Sequence, residues 1–168
     1  LRGGARLAQA VPFALEEQLA SEVETMHFAV GARSAGAAGT PVAYVARGLM
    51  DRWQAACEAA GIHPDAAYAD AIAVPVSPGA CTMLLDEGML FVRRAAAVPY
   101  AIDANPLGAA LELALGDAAE AAENVVFFAS AAEYEAQRDV IEGLRSRTAT
   151  LQVKLLPDGA LPLLAAQV

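Results

Sequence analysis

The run VVFFA at residues 125–129 most restricts what this chain can become. It is apolar at every position, so its two faces cannot divide between core and water as an amphipathic strand would. Such a strand belongs in the interior of a sheet with a covering layer on each side. The flanking sequence supplies the layers. Ser130 and Glu133 are spaced as a capping box that opens a helix to about Leu144. Residues 150–155 then alternate, with Leu151, Val153 and Leu155 expected inward and Gln152 and Lys154 outward. Upstream, Asn105 can cap a helix whose first residue is Pro106, and Leu107, Ala110, Leu111, Ala114 and Leu115 fall on one helical face. Before it, residues 81–85, 89–94 and 98–102 read as three short strands in a meander. The order is three antiparallel strands, helix, strand, helix, strand.

The first part of the chain is sparser. Residues 11–31, VPFALEEQLASEVETMHFAVG, read as a short acidic helix with Pro12 in its first turn, running into a strand over residues 25–30. Residues 6–10 are expected to be helical as well. A Gly-rich connector at residues 34–41 leads to a second short strand at residues 42–46. Residues 47–60 form an amphipathic helix with Leu49, Met50, Trp53, Ala56, Cys57 and Ala60 in one stripe; Gly61 stops it and Pro64 prevents its resumption. Residues 66–79 read as a short strand and a turn, and Pro75, Pro78 and Gly79 make the clearest boundary in the chain.

A length of 168 residues suits one domain or two small lobes, and a hydrophobic share of 57% argues against disorder. The net charge of -9, with no basic cluster larger than Arg93-Arg94, turns nucleic acid away. Cys57 and Cys81 have no CxxC neighbour and no histidine at ligand spacing, which fits buried free thiols in a reducing compartment. No apolar run reaches the length of a membrane span, and the N-terminal LRGGARLAQ lacks the apolar core of a signal peptide.

The string LEEQL followed by HFAVG resembles the general secretion pathway protein L family (GspL), an inner-membrane component of the bacterial type II secretion system. The likeness continues through VAYVARGLMDRWQAACEAAGIHPDAAYADAIAVPV, with Trp53, Ala60-Gly61, Pro64-Asp65 and Pro75 as its landmarks. It extends through TMLLDEGMLFVRR, where Arg93 closes the second strand of a hairpin, and AIDANPLGAALELAL. The strand and helix order of residues 77–156 also resembles a ribonuclease H-like unit, two copies of which make the actin-like ATPase fold. The resemblance therefore implies an α/β, actin-like arrangement of ribonuclease H-like lobes: residues 1–76 as a first lobe truncated at its N-terminus, residues 77–156 as the second, and residues 157–168 leading toward a membrane helix beyond Val168.

The same resemblance implies a non-catalytic scaffold at the cytoplasmic face of the inner membrane. It would bind the N-terminal domain of the secretion ATPase GspE, and through other parts of the full-length protein it would engage GspM. The alternative is an actin-like nucleotide-binding regulatory module. The truncated first lobe raises the expectation of pairing between two copies.

Asp86, Glu87 and Gly88 stand between the first two strands of the second lobe, where an actin-like protein holds phosphate; Asp-x-Gly is also ordinary hairpin-turn chemistry, and Glu87 adds negative charge there. They are read as a vestigial phosphate loop at most, with no cofactor expected. His27, on a strand, and His63, in a turn, lack companions at metal spacing. Glu16 and Glu17 diverge by about 100 degrees around a helix and cannot share one proton. Ser21, Ser34, Ser77 and Ser130 lie outside any GxSxG elbow. No catalytic residue is expected. Arg93, Arg94 and Tyr100 are of the types enriched at interface hot spots and are the candidate partner contacts, with a solvated strand end as the plain alternative.

Overall fold

A computed structural model describes residues 2–31, 39–95, 97–116 and 123–168, with side chains from residue 6 onward. The chain forms two compact units, Leu1–Ala66 and Ala67–Val168. Most of the Gly-rich connector expected at residues 34–41, including Ser34, lies outside the described residues.

Unit 1 runs helix α1 (Arg2–Leu15), strand β1 (Met26–Val30), strand β2 (Val42–Ala46) and helix α2 (Arg47–Ala59). Pro12 lies inside α1, not at its start as expected. The Ala-rich ARLAQA before it is strongly helix-forming, so the helix begins upstream and tolerates the one backbone bond that a proline cannot donate. It also stops sooner than expected: Glu16–Gln18 form a 3-10 turn and Leu19 is extended. β1 and β2 pair antiparallel, Met26 opposite Ala46 and Val30 opposite Val42, with the Phe28 and Tyr44 rings facing each other across the ladder at 6.1 Å. Arg47 ties α2 back by donating from Nη2 to the Met26 carbonyl at 3.0 Å. Gly61 stops α2 as its sequence suggests, taking φ +68 while the Ile62 N–H donates to the Cys57 carbonyl. The apolar stripe of α2 is real as a pattern, yet no residue of α2 is buried and Trp53 is 49% exposed. Val11 and Val23 are the buried side chains among the described residues of unit 1.

Unit 2 holds a five-stranded mixed sheet. Its elements are α3 (Asp70–Ala73), β3 (Ala80–Asp86), β4 (Met89–Arg93), β5 (Tyr100–Asp103), α4 (Leu107–Leu115), β6 (Asn124–Ser130), α5 (Ala131–Ala136), α6 (Arg138–Gly143), β7 (Thr150–Leu156) and α7 (Ala160–Ala165). The spatial order is β5-β4-β3-β6-β7; β5, β4 and β3 are antiparallel, while β3, β6 and β7 are parallel. β6 is interior, as VVFFA requires. Val125, Phe127 and Ala129 face a core shared with Cys81, Met83 and Leu85 of β3 and roofed by α4 and α6. Val126 and Phe128 face the opposite side with Leu84, where α3 and α7 cover the sheet through Ala73, Val74, Ala160 and Leu164. Ser130 and Glu133 form the expected capping box.

Four expectations are corrected in unit 2. Residues 66–79 hold the one-turn helix α3 in place of a strand; Pro75 holds Val74 extended (φ -63, ψ 135) and ends the helix there. Asn105 does not cap α4: its N–H donates to the Asp103 carboxylate and Pro106 takes the N-cap position. The helix expected to run to Leu144 breaks at Gln137 into α5 and α6. Leu155 is exposed on the edge strand β7, while the next residue, Leu156, is half-buried against the α3 and α7 side.

Phe127 is fully buried at the middle of the central strand. Phe127→Ala should cost about 4 kcal/mol, the range for emptying an aromatic core position, read as a lowered urea midpoint with an unchanged slope.

Candidate functional site

The β3–β4 connection carries Asp86, Glu87 and Gly88. Glu87 and Gly88 both take positive φ, 47 and 79, the pattern of a two-residue type I′ hairpin turn. A turn of this kind turns backbone N–H groups outward, which is how a phosphate loop grips an anion. Here the Glu87 N–H donates to Glu133 Oε1 at 3.0 Å. The other oxygen of that carboxylate accepts from the Ser130 N–H at 3.2 Å and the Ser130 hydroxyl at 2.7 Å. Glu133 thus joins the tip of the hairpin to the β6–α5 junction, and an intrachain carboxylate occupies the donor a phosphate would need. The spacing from Ser130 marks Glu133 as a capping residue in the sequence; its contact with Glu87 spans 46 positions and leaves no local signal.

The local field is hostile to anions as well. Burial pushes the Asp86 carboxyl up from its ordinary value of 3.8, and the charges of Glu133, Glu87 and Asp70 push it the same way.

Arg93 and Arg94 close β4 and point to different tasks. Arg93 donates from Nη1 to the carbonyls of Ile72 and Val74, the latter at 2.6 Å, and so satisfies acceptors at the C-terminal end of α3. Arg94 forms a two-pronged pair with Glu123, Nη2 at 2.9 Å and Nε at 2.9 Å, and also donates to the Ala114 carbonyl at the end of α4 and to the Tyr100 hydroxyl. The hydrogen bond to Glu123 holds its guanidinium more firmly protonated than an ordinary arginine, against the opposing effect of burial. The structure therefore brings Arg94 and Tyr100 together and sends Arg93 to α3. Both guanidinium groups are engaged within the chain, and Tyr100 keeps 37% of its surface exposed.

Cys81 is buried and burial pushes its thiol up to about 11. Cys57 is half-buried on α2. His27 and His63 fall on β1 and after α2 in unit 1, and among the described residues no group of three or more His, Cys, Asp or Glu is placed to hold a metal ion. No helix of the described residues is long and apolar enough to cross a membrane.

A family model described as type II secretion system (T2SS), protein L, matches residues 3–163. The chain belongs to this family. Curated relatives named type II secretion system protein L are similar over part of its length: 40% identical over 88 residues in Pectobacterium carotovorum subsp. carotovorum, 45% over 73 residues in Klebsiella pneumoniae and 40% over 84 residues in Pseudomonas aeruginosa. The matches cover 52%, 44% and 50% of this chain and about a fifth of each relative (20%, 18% and 22%). Among solved structures, the cytoplasmic domain of EpsL, an inner membrane component of the type II secretion system of Vibrio cholerae, is similar with a TM-score of 0.63 at 19% identity, covering 98% of this chain and 64% of that one. That likeness speaks for the fold, a mixed α/β architecture shared with this family member.

A carboxyl whose folded value is raised binds more protons folded than unfolded between 3.8 and that value, so its charge costs stability above the window and the cost fades below it. Asp86→Asn should therefore raise the urea midpoint at pH 7, and the gain should vanish as the pH falls toward the ordinary carboxylate value. In a thiol titration of the native chain near pH 8, Cys57 should react first, and Cys81 should react at a comparable rate only once the chain is unfolded in guanidinium.

Proposed function

We propose that this chain is a non-catalytic scaffold piece of the type II secretion platform, working at the cytoplasmic face of the inner membrane. It binds the N-terminal domain of the secretion ATPase GspE, and the full-length protein links that ATPase to GspM and the other platform proteins. The observation that carries the reading is the family match over residues 3–163. The printed description of the EpsL domain, cytoplasmic and part of an inner membrane component, supports the location.

The architecture belongs to the same proposal. Three antiparallel strands followed by two parallel ones, in the order β5-β4-β3-β6-β7, is the arrangement of a ribonuclease H-like lobe, and unit 1 is read as what is present of its partner in an actin-like pair. An actin-like ATPase would bring a phosphate to the β3–β4 turn. Glu133 at the Glu87 N–H, with Asp70 and Asp86 close by, favours a lobe kept for binding proteins over one kept for nucleotide.

Calorimetric titration of the chain with the N-terminal domain of the cognate secretion ATPase, run beside a titration with Mg-ATP, tests this. Saturable heat with the domain and none with Mg-ATP is the expected outcome. Saturable heat with Mg-ATP and silence with the domain would replace the scaffold by a nucleotide-binding regulatory module.

A further inference from the structure

The two faces of the unit 2 sheet are covered unequally. Among the described residues of unit 2, one lies under α4, α5 and α6, while the other has α3, a single turn of 4 residues, and α7, of 6. Helices this short do not persist alone; they are held by the side chains they press onto Leu84 and Phe128. Their outward side is apolar: Ile72 on α3 is 47% exposed, Leu161 on α7 is 76% exposed, and Tyr68 just before α3 is 58% exposed. The two helices touch each other.

Three carboxylates frame this surface. Asp70 opens α3, Asp158 precedes α7, and Asp86 ends β3 close enough to Asp70 to feel its charge. Among the described residues none of the three has an ion-pair partner. Two cations lie on this side, each held against a neutral group: Arg93 on the α3 carbonyls and Lys154 over the Phe128 ring at 5.4 Å, so the carboxylates outnumber them three to two. Arg94, Arg138, Arg145 and Arg147 are paired with Glu123, Glu135, Glu142 and Glu112.

We propose that the outward side of α3 and α7, formed by Tyr68, Ile72 and Leu161 and framed by Asp70, Asp86 and Asp158, docks a cationic amphipathic helix of a partner protein. The apolar stripe of such a helix covers Ile72 and Leu161 while its Lys and Arg residues reach the flanking carboxylates. The charge decides the occupant. A second copy would set this acidic frame against itself on a chain of net charge -9, and anionic lipid or nucleic acid is repelled in the same way. The proposal defines the partner by its chemistry and stands apart from the identity of the ATPase.

The probe is a synthetic amphipathic Leu/Lys helical peptide, titrated by fluorescence anisotropy into the whole chain, beside a peptide of equal charge with its leucines replaced by serine. The amphipathic peptide should saturate the chain and weaken with salt, and the serine peptide should not bind. Leu161→Glu and Ile72→Glu should each weaken it by about tenfold, as loss of an interface anchor does. Asp70→Asn combined with Asp158→Asn should flatten the salt dependence. Leu113→Glu on α4, at a position 69% exposed on the other side of the sheet, is the control and should leave binding unchanged. Ile72, Leu161 and Leu113 are exposed, so the melting curves of their variants should match the parent. Equal binding of both peptides, no binding of either, or equal losses with Leu113→Glu and Leu161→Glu would overturn the proposal. So would a sedimenting dimer that Leu161→Glu dissolves while the peptide stays silent, since that assigns the surface to a second copy.

Discussion

Everything in unit 2 depends on a strand that cannot tolerate water on either face. β6 has Val125, Phe127 and Ala129 on one side and Val126 and Phe128 on the other, so it must have a strand at each edge and a helical layer above and below. β3 and β7 supply the edges; α4 with α5 and α6 supplies one layer, and α3 with α7 the other. The polar fastenings then work around this core. Arg94 binds Glu123 just ahead of β6 and the end of α4, and Glu133 binds the hairpin tip just after β6, so a hydrogen-bonded clasp sits at each end of the same strand.

Most of unit 2 could be read along the chain because its signals are local. The i, i+3, i+4 spacing of Leu107, Ala110 and Leu111, the Ser130–Glu133 box and the alternation at Leu151 and Val153 each involve residues within one or two turns. The misreadings share a cause in neighbours distant in sequence or in chain chemistry overruled by context. Residues 70–73 carry a pattern too short to tell helix from strand, and Arg93, 19 positions beyond Val74, holds the end of α3. Pro12 looked like a start because prolines favour first turns; the alanine-rich stretch ahead of it prevailed. The stripe of α2 was legible as a stripe, but periodicity shows that a face is apolar and not that anything in the same chain covers it.

The candidate site was legible as a turn and as a pair of arginines, but its chemistry was not. Nothing in Asp86-Glu87-Gly88 announces that its donor is filled from α5, and nothing in Arg93-Arg94 announces that adjacent residues serve opposite faces of the sheet, one reaching α3 and the other α4. Strand alternation sends neighbouring side chains apart, so a basic pair at a strand end need not act as one patch. The Glu87 N–H and the Arg93 and Arg94 guanidinium groups are all bonded inside the fold, while Tyr100 keeps part of its ring exposed.

The parallel pairing of β3 with β6 carries a consequence for how the chain is made. β3 finds β4 immediately, through a turn of two residues, but its other neighbour pairs in the register Ala80 with Asn124 and arrives only after β5 and α4 have been synthesised. Until then a strand with both faces destined for burial presents a bare hydrogen-bonding edge beside Met83 and Leu84. A ribosome delivering residues one at a time holds the chain in that half-closed state far longer than a hairpin takes to form, so the passage from β4 to β6 is the interval in which a nascent copy is most exposed to pairing with the wrong strand.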